Sequence, residues 1–399
     1  MESHLLPAAA AATRLGIKRT TLYAYVSRGL VTAYSLPGRR GSWFDPIQLD
    51  ALTRRARDPV ERRPDLRMTS AITLIEGGRY WYRGRAPEDL AATRTWEAVA
   101  EFLWTGDDTT DPPAWPVDEA AADRAHRALA SIPADAPFLD RLRLVVAVLG
   151  AGDPLRLDLR PAGALATARR LTGTAIAAIS PARRGRAAAR IAAALGRRRP
   201  RPEIVHAVDR ALIVMADHEL AASTVAVRVA ASFRADPYAA VLAGLGAMAG
   251  SWHGGASRQV ETLFRDVAGG RPADAAVSEL LARDAHVPGF GQPLYPAGDP
   301  RVTLLLPLAR SFGPTPEADA IERLGKAQGL PPPNVDFALA TLVRALGLTF
   351  GAGEALFALG RLAGWLAHAI EEYESRTAFR MRAVYAGPRP GARIEGLMI

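Results

Sequence analysis

The chain has 399 residues, 49% of them hydrophobic, with no cysteine and a formal net charge of +9 at pH 7. That length accommodates two or three domains, the apolar content excludes wholesale disorder, and the lack of cysteine excludes disulfides and thiolate metal sites. No run reaches the ~18 uninterrupted apolar residues of a membrane span. The start, Met-Glu-Ser-His-Leu-Leu-Pro, lacks the basic and apolar segments of a secretion signal. A soluble cytoplasmic protein with no membrane contact is expected.

The positive charge is uneven. Residues 1–67 carry twelve Lys/Arg against six Asp/Glu, and residues 181–202 carry eight Arg and no acid. This reflects either a general preference for arginine or contact with the phosphates of a nucleic acid or cofactor, and charge alone does not separate the two.

Residues 7–16 read as a short helix, opened by Pro7 and closed by Gly16. A second helix follows at 19–28, with Leu22, Tyr25 and Val26 on one face. Lys18, Arg19, Thr20, Thr21 and Tyr23 lie at its start or on its open face. Residues 35–45 read as a hairpin with Arg39 and Arg40 at the tip, and 46–57 as a third helix. Helix, tight turn, basic helix and hairpin together resemble the winged helix-turn-helix modules of the MerR type. The resemblance implies DNA as a partner, met by those seven residues through phosphates and base edges. The same layout also suits a packing module, because a fold does not fix a function.

Residues 58–67, with two prolines and dense charge, are a linker. Residues 70–83 read as two short strands around Gly77-Gly78. From there the periodicity is helical: about 88–105, 118–131, 137–150, 161–179, 187–196, 203–215, 218–233, 237–249, 255–268, 274–284, 299–312, 315–328, 334–347 and 351–373. The stretch 181–202 is expected to be an exposed basic connector. The fold class is therefore mainly α: a winged helix-turn-helix at 1–57, then a large all-α body at 68–399 with a β hairpin at its start.

In four stretches polar groups stand beside Gly or Pro at helix ends: Ala216-Asp-His-Glu to Thr224, Gly250-Ser-Trp-His-Gly-Gly-Ala256, Val287 to Arg301, and Pro331-Pro-Pro-Asn-Val-Asp336. Each alone has an ordinary reading as a core histidine, a turn or an N-cap. In this order, and followed by Arg361-Leu-Ala-Gly-Trp-Leu-Ala-His-Ala-Ile-Glu371, they resemble the citrate synthase family over roughly residues 68–387. The resemblance implies condensation of acetyl-CoA with oxaloacetate and hydrolysis of the thioester. It implies a homodimer, acetyl-CoA as substrate with no tightly bound cofactor, and a small mobile subdomain at about 255–350; the sequence itself shows no metal-binding spacing, so no metal is expected.

By motif match Asp336 is the base that takes a methyl proton, and His253 donates a hydrogen bond to the carbonyl oxygen. His218, Arg301 and Arg361 hold oxaloacetate, joined by Arg380 lent to the partner's site, although Arg382 competes for that role. Pro288, Gly289, Phe290 and Gly291 sit where the family holds CoA. Three positions depart from the pattern. Gln292 replaces a histidine that polarises the electrophile, so a hydrogen-bond donor remains but acid assistance, worth ~10²–10⁴-fold, does not. Pro296 replaces a basic residue, and Ala221 an asparagine. A regulator that senses ligands through a degenerate synthase body, or an enzyme of the 2-methylcitrate synthase type using propionyl-CoA, is the alternative. His368 is expected to be packed, and Glu371–Glu374 to be a solvated helix end.

Overall fold

The computed structural model describes residues 5–27, 31, 33–35, 41–46, 49, 68–182, 184–250, 253–284, 286–375 and 378–379. The chain divides into two compact units, Met1–Thr69 and Ser70–Ile399. Arg39, Arg40 and Arg380, the linker 58–67 and most of the expected third helix lie outside the described residues.

In the first unit, strand β1 (Leu6–Pro7) leads into helix α1 (Ala8–Leu15), and α2 (Arg19–Ser27) follows one turn later. Gly16 ends α1 at φ +66°, a conformation that glycine adopts without steric cost. Strands β2 (Tyr34–Ser35) and β3 (Ser42–Phe44) complete an antiparallel sheet in the order β1-β3-β2. Ala8, Ala11, Ala12, Leu22, Val31, Phe44 and Leu49 form its own small core.

The second unit opens with a hairpin, β4 (Thr73–Glu76) and β5 (Arg79–Tyr82), turned by Gly77 and Gly78 at φ +55° and +75°. Its helices are α3 (Pro87–Thr93), α4 (Trp96–Thr105), α5 (Glu119–Ala128), α6 (Phe138–Gly152), α7 (Pro161–Ile179), α8 (Ala187–Ala194) and α9 (Pro202–Met215). Then come α10 (Ala222–Ser232), α11 (Pro237–Met248), α12 (Gly255–Ala268), α13 (Ala273–Asp284), α14 (Pro300–Arg310), α15 (Pro316–Ala327), α16 (Val335–Leu346) and α17 (Ala352–Glu374).

The body is wound around α17. Every residue from Ala352 to Ile370 is buried. A helix apolar on all sides belongs inside, and α4, α6, α7, α9, α10, α11, α12 and α16 pack against it. Gly364 makes the closest approach possible: a Cβ there would lie 2.5 Å from Ala216 O. Despite its length α17 is a core element, and no helix among the described residues is long and apolar enough to cross a membrane.

Four expectations are corrected. The helix read at 88–105 is two helices, because Thr95 turns extended and its hydroxyl caps α4 through Ala98 N–H at 3.2 Å. The helix read at 218–233 begins only at Ala222; Asp217 to Ala221 form a loop in which Glu219 stands at φ +52°. The stretch 181–202 is not an exposed connector throughout, since it contains α8, whose Ala187, Ala188, Arg190 and Ile191 are buried. The end of α17 is solvated only in part: Glu374 is exposed, but Glu372 is buried and, with Glu371, pairs with the buried Arg228 at 2.9 and 2.6 Å. Its cause is long-range, a cation delivered from α10 that no local pattern announces.

Candidate active site

Two loops are laced together ahead of α16. Asn334 caps that helix, its Oδ1 accepting from the N–H groups of Asp336 and Phe337. Its backbone N–H donates to Gly289 O at 2.8 Å and its Nδ2 to Gly291 O at 2.9 Å. Gly289 and Gly291, at φ +89° and +79°, let the Gly-Phe-Gly turn meet this loop, and Phe290 packs on Phe337 at 5.4 Å between ring centroids. Asp336 is thereby fixed in the first turn of α16. Part of its surface faces a cavity, and the rest is enclosed by protein. Burial pushes its carboxyl up to about 6, against the opposing effect of a hydrogen bond from Ser257 Oγ and the charge of Arg301.

His218 lies on the loop between α9 and α10. Its Nε2 shares a 2.8 Å hydrogen bond with the Tyr295 hydroxyl, and the rings of Tyr80 and Tyr295 meet it edge-on. Burial first, then Arg301 and Arg361, hold its imidazole well below the ordinary histidine value, so it is neutral at pH 7. His253 precedes α12 and packs on Phe357, with Nε2 2.8 Å from Ser223 Oγ. Burial, Arg361 and Arg301 bring it down to about 4, and it too is neutral.

The arginines differ in kind. Arg301 is buried and already paired: Nε and Nη2 donate to the two oxygens of Asp299 at 2.8 and 2.7 Å. Arg361, 1% exposed, commits only Nε, to Met215 O at 2.9 Å. Its Nη1 and Nη2 are buried with no hydrogen-bond partner. A buried guanidinium fork with two open donors is costly unless something fills it, and its geometry matches a carboxylate.

These groups share a cavity of about 450 Å³ lined by His218, His253, Gln292, Arg301, Asp336 and Arg361 among others. Leu220, Ala221, Ala222, Leu294, Val335 and Phe357 supply its apolar wall. A second cavity of about 210 Å³, beside Asp153 and Tyr238, lies elsewhere. There Asp153 is already satisfied by Arg170, Tyr238 and the Leu155 N–H, so no unpaired charge calls for a ligand.

Six sequence-derived candidates, His218, His253, Gln292, Arg301, Asp336 and Arg361, thus line one cavity. Pro288, Gly289 and Phe290 are buried in the laced loop and do not line it, and Gly291 is half-buried. In the first unit Lys18, Arg19, Thr20 and Tyr23 are exposed and Thr21 is half-exposed. Sequence reasoning passed over Ser223, Ser257 and Tyr295, although Ser223 and Tyr295 stand inside the stretches it singled out and Ser257 directly follows one. Ser257 was recoverable, since it lies one helical turn after His253. His368 is fully buried but not merely packed: Arg228 donates to its Nδ1 at 3.1 Å, and its Nε2 lies 3.3 Å from Asp217 Oδ2. Arginine only donates, so the proton of His368 sits on Nε2 and points at Asp217.

The profile of the family described as Citrate synthase, C-terminal domain, matches residues 66–382. The chain is 35% identical to Citrate synthase 2 of Bacillus subtilis over 47% of its own length and 53% of that protein, so it spans about half of that relative. It is 29% identical to the 2-methylcitrate synthase of Mycobacterium tuberculosis, over 82% of this chain and 92% of that one. The crystal structure of citrate synthase from Thermotoga maritima superposes with a TM-score of 0.66 at 25% identity, covering 84% of this chain and 97% of that one.

The open fork of Arg361 makes a prediction about stability. Substituting Arg361→Leu should cost the unliganded protein no more than about 1–3 kcal/mol, for the unpaired Met215 carbonyl. A 2-oxo dicarboxylate at ~100-fold its Kd should stabilise the parent protein by about 2.7 kcal/mol and leave the variant unmoved. Urea unfolding midpoints with and without the ligand decide, and equal stabilisation of both proteins would remove Arg361 from the binding site.

Proposed function

The chain belongs to the citrate synthase family, and from that premise we propose that its cavity condenses acetyl-CoA with oxaloacetate and then hydrolyses the thioester. The observation that carries this reading is the open fork of buried Arg361 in one cavity with a carboxyl at about 6 and two neutral imidazoles. Arg361 receives a carboxylate of the 2-oxo acid, with His218 and Arg301 beside it. Asp336 removes a methyl proton from the thioester. Its raised pKa brings the base nearer the weakly acidic carbon while leaving it ionised at pH 7.

The enolate oxygen then needs a donor. Trp365 Nε1–H donates to Ser223 Oγ at 3.3 Å. The Ser223 proton is free to be donated to His253 Nε2, and in the tautomer the reaction requires the imidazole proton sits on Nδ1, from which it is donated to the thioester oxygen. A neutral donor suits this task, because it stabilises the enolate without fully protonating it. The electrophile's carbonyl is met by Gln292, whose amide donates but cannot protonate. The residues of 255–350 close over the cavity and exclude water before condensation. Two chains pair as a homodimer, and Arg380 completes the partner's site.

A second acyl donor, propionyl-CoA, is favoured by the likeness to a 2-methylcitrate synthase over most of the chain and by the small side chains of Ala221 and Ala222 in the cavity wall. For the first unit, exposed Lys18, Arg19 and Thr20 at the start of α2 favour a winged helix-turn-helix that contacts DNA phosphates.

Three measurements test these readings. Purified protein should release CoA from acetyl-CoA plus oxaloacetate, with kcat/KM falling about tenfold per pH unit below about pH 6 as Asp336 takes up its proton. Asp336→Asn should lower turnover ~10²–10⁴-fold; silence with acetyl-CoA and propionyl-CoA across several 2-oxo acids would end the enzymatic reading. Gln292→His should raise kcat with oxaloacetate by about 10²-fold, the lower end of what acid assistance supplies, and an unchanged rate would mean that the amide suffices. Binding to duplex DNA should weaken linearly in log salt, and Lys18→Ala should flatten the slope by about 1. A slope that the substitution leaves alone would take α2 off the DNA.

A further inference from the structure

The two oxygens of Asp336 are not equivalent. Oδ1 accepts the hydrogen bond from Ser257 Oγ. Ser257 is fully buried on α12, four residues after His253. One turn further, Glu261 accepts the N–H groups of Gly351 and Gly353 at 2.7 and 2.8 Å, which ties α12 to the start of α17. Residues spaced by four share one helix face. A single face of α12 therefore presents a hydroxyl to the carboxylate and a carboxylate to α17, with the cavity imidazole one turn before them. The packing behind it is tight: a Cβ on Gly353 would lie 3.3 Å from Ser257 Cβ and 2.8 Å from Glu261 Oε1.

We propose that Ser257 is the positioning residue of the base, holding Oδ1 so that Oδ2 alone takes the proton from the acyl thioester. This rests on Asp336 being the base of the proposed condensation. In the step, the C–H bond of the thioester methyl breaks and an O–H bond forms at Oδ2. The electron pair passes into the enolate, whose oxygen accepts from His253, and Asp336 becomes a neutral acid. Ser257 can stay bonded to Oδ1 throughout, so nothing need reorganise as the proton moves. Because His253 lies in the turn that leads into α12 and Ser257 in that helix's first turn, the start of α12 links the enolate donor to the base.

The hydroxyl also favours the ionised carboxylate. The groups acting on Asp336 are Ser257 from α12, Arg301 from α14 and Asp299 just before it. Ser257 and Arg301 favour the anion, while burial and Asp299 oppose it. Without Ser257 the balance moves toward the neutral acid.

The test uses the full-length protein and CoA release. Ser257→Ala should lower kcat at least tenfold at pH 7 with KM for the 2-oxo acid within about twofold, since a misplaced reacting group costs up to ~10²-fold. Its acid limb in kcat/KM should move to higher pH, and trideuteroacetyl-CoA should show a larger isotope effect on kcat than in the parent, as proton removal becomes slower. Ser257→Thr, which keeps the hydroxyl, should restore the limb and the isotope effect; a packing role alone would move neither. If the parent protein is active and Ser257→Ala keeps its kcat, acid limb and isotope effect, Ser257 does not position the base. If the parent protein releases no CoA with any acyl-CoA and 2-oxo acid, it is the condensation itself that fails.

Discussion

The site depends on how the segment Ile213–Ala221 is pinned to α17. Gly364 N–H donates to Ala216 O at 2.9 Å, and Arg361 Nε donates to Met215 O at the same distance. From the other side the hairpin holds it: the Tyr82 hydroxyl lies 3.0–3.1 Å from the carbonyls of Ile213, Val214 and Asp217 and accepts the Asp217 N–H. Asp217 is the buried knot. Thr73 Oγ1 donates to its Oδ2 at 2.5 Å, Glu219 N–H at 3.1 Å, and His368 Nε2 stands at 3.3 Å. Burial alone would push this carboxyl up, but His368, Arg361 and Thr73 hold it below the usual carboxylate value. All three contacts meet Oδ2, while Oδ1 is buried without a hydrogen-bond partner, so the carboxylate is only half satisfied. His218 follows one residue later, in a loop strained enough to put Glu219 at positive φ.

That arrangement explains why Arg361 is both rigid and unsatisfied. Its Nε is spent on the pinned segment, which fixes the plane of the guanidinium, and Phe357 lies under it at 4.9 Å from the ring centroid. The Nη atoms are left pointing where no protein acceptor stands. Arg301 has the opposite design, its charge met by Asp299, which also accepts Val335 N–H at 3.1 Å and so links α14 to the start of α16. One guanidinium is left with an open fork, while the other is paired with the carboxylate that joins α14 to α16, the helix that carries Asp336. Preorganised charge of this sort acts at a developing anion without having to rearrange.

Much of this was legible in the sequence, for identifiable reasons. The helices showed through period 3.6 and through Gly and Pro at their ends, and His253, Asp336 and Arg361 stood in motifs. The misreadings cluster where tertiary contacts decide. Nothing local distinguishes Thr95 as a cap inside an apolar run, or stops the Ala-rich stretch after His218 from being helical at once. Glu371 and Glu372 look solvent-facing until Arg228 arrives, more than 140 residues away in sequence. The Asp217 knot is drawn from residues 73, 217, 228 and 368, so no window of the sequence contains it. Ser257 failed for a different reason. Its spacing from His253 was visible, but its acceptor, on another helix, was not.

The two halves of the cavity are held to different standards. On the side of His253 and Asp336, each reactive group has a dedicated partner: Ser223, itself bonded to Trp365, for one and Ser257 for the other, with Asn334 fixing the helix start beneath. On the side of Gln292 it is the backbone that is fixed. Tyr295 N–H still donates to Gln292 O at 2.8 Å, closing the turn that brings Tyr295 to His218. The amide side chain at the head of that turn can thus change identity without moving its neighbours. With both histidines neutral and Arg301 matched by Asp299, Arg361 is the lining cation without a protein carboxylate bonded to it among the described residues. In the proposed reaction the strongest pull on a 2-oxo acid within this chain therefore falls on one carboxylate. Leu220, Ala221 and Leu294 bound the cavity beside it. Under the proposed condensation, a site built in this way holds the enolising pair firmly and leaves the electrophile to Arg361 and Gln292.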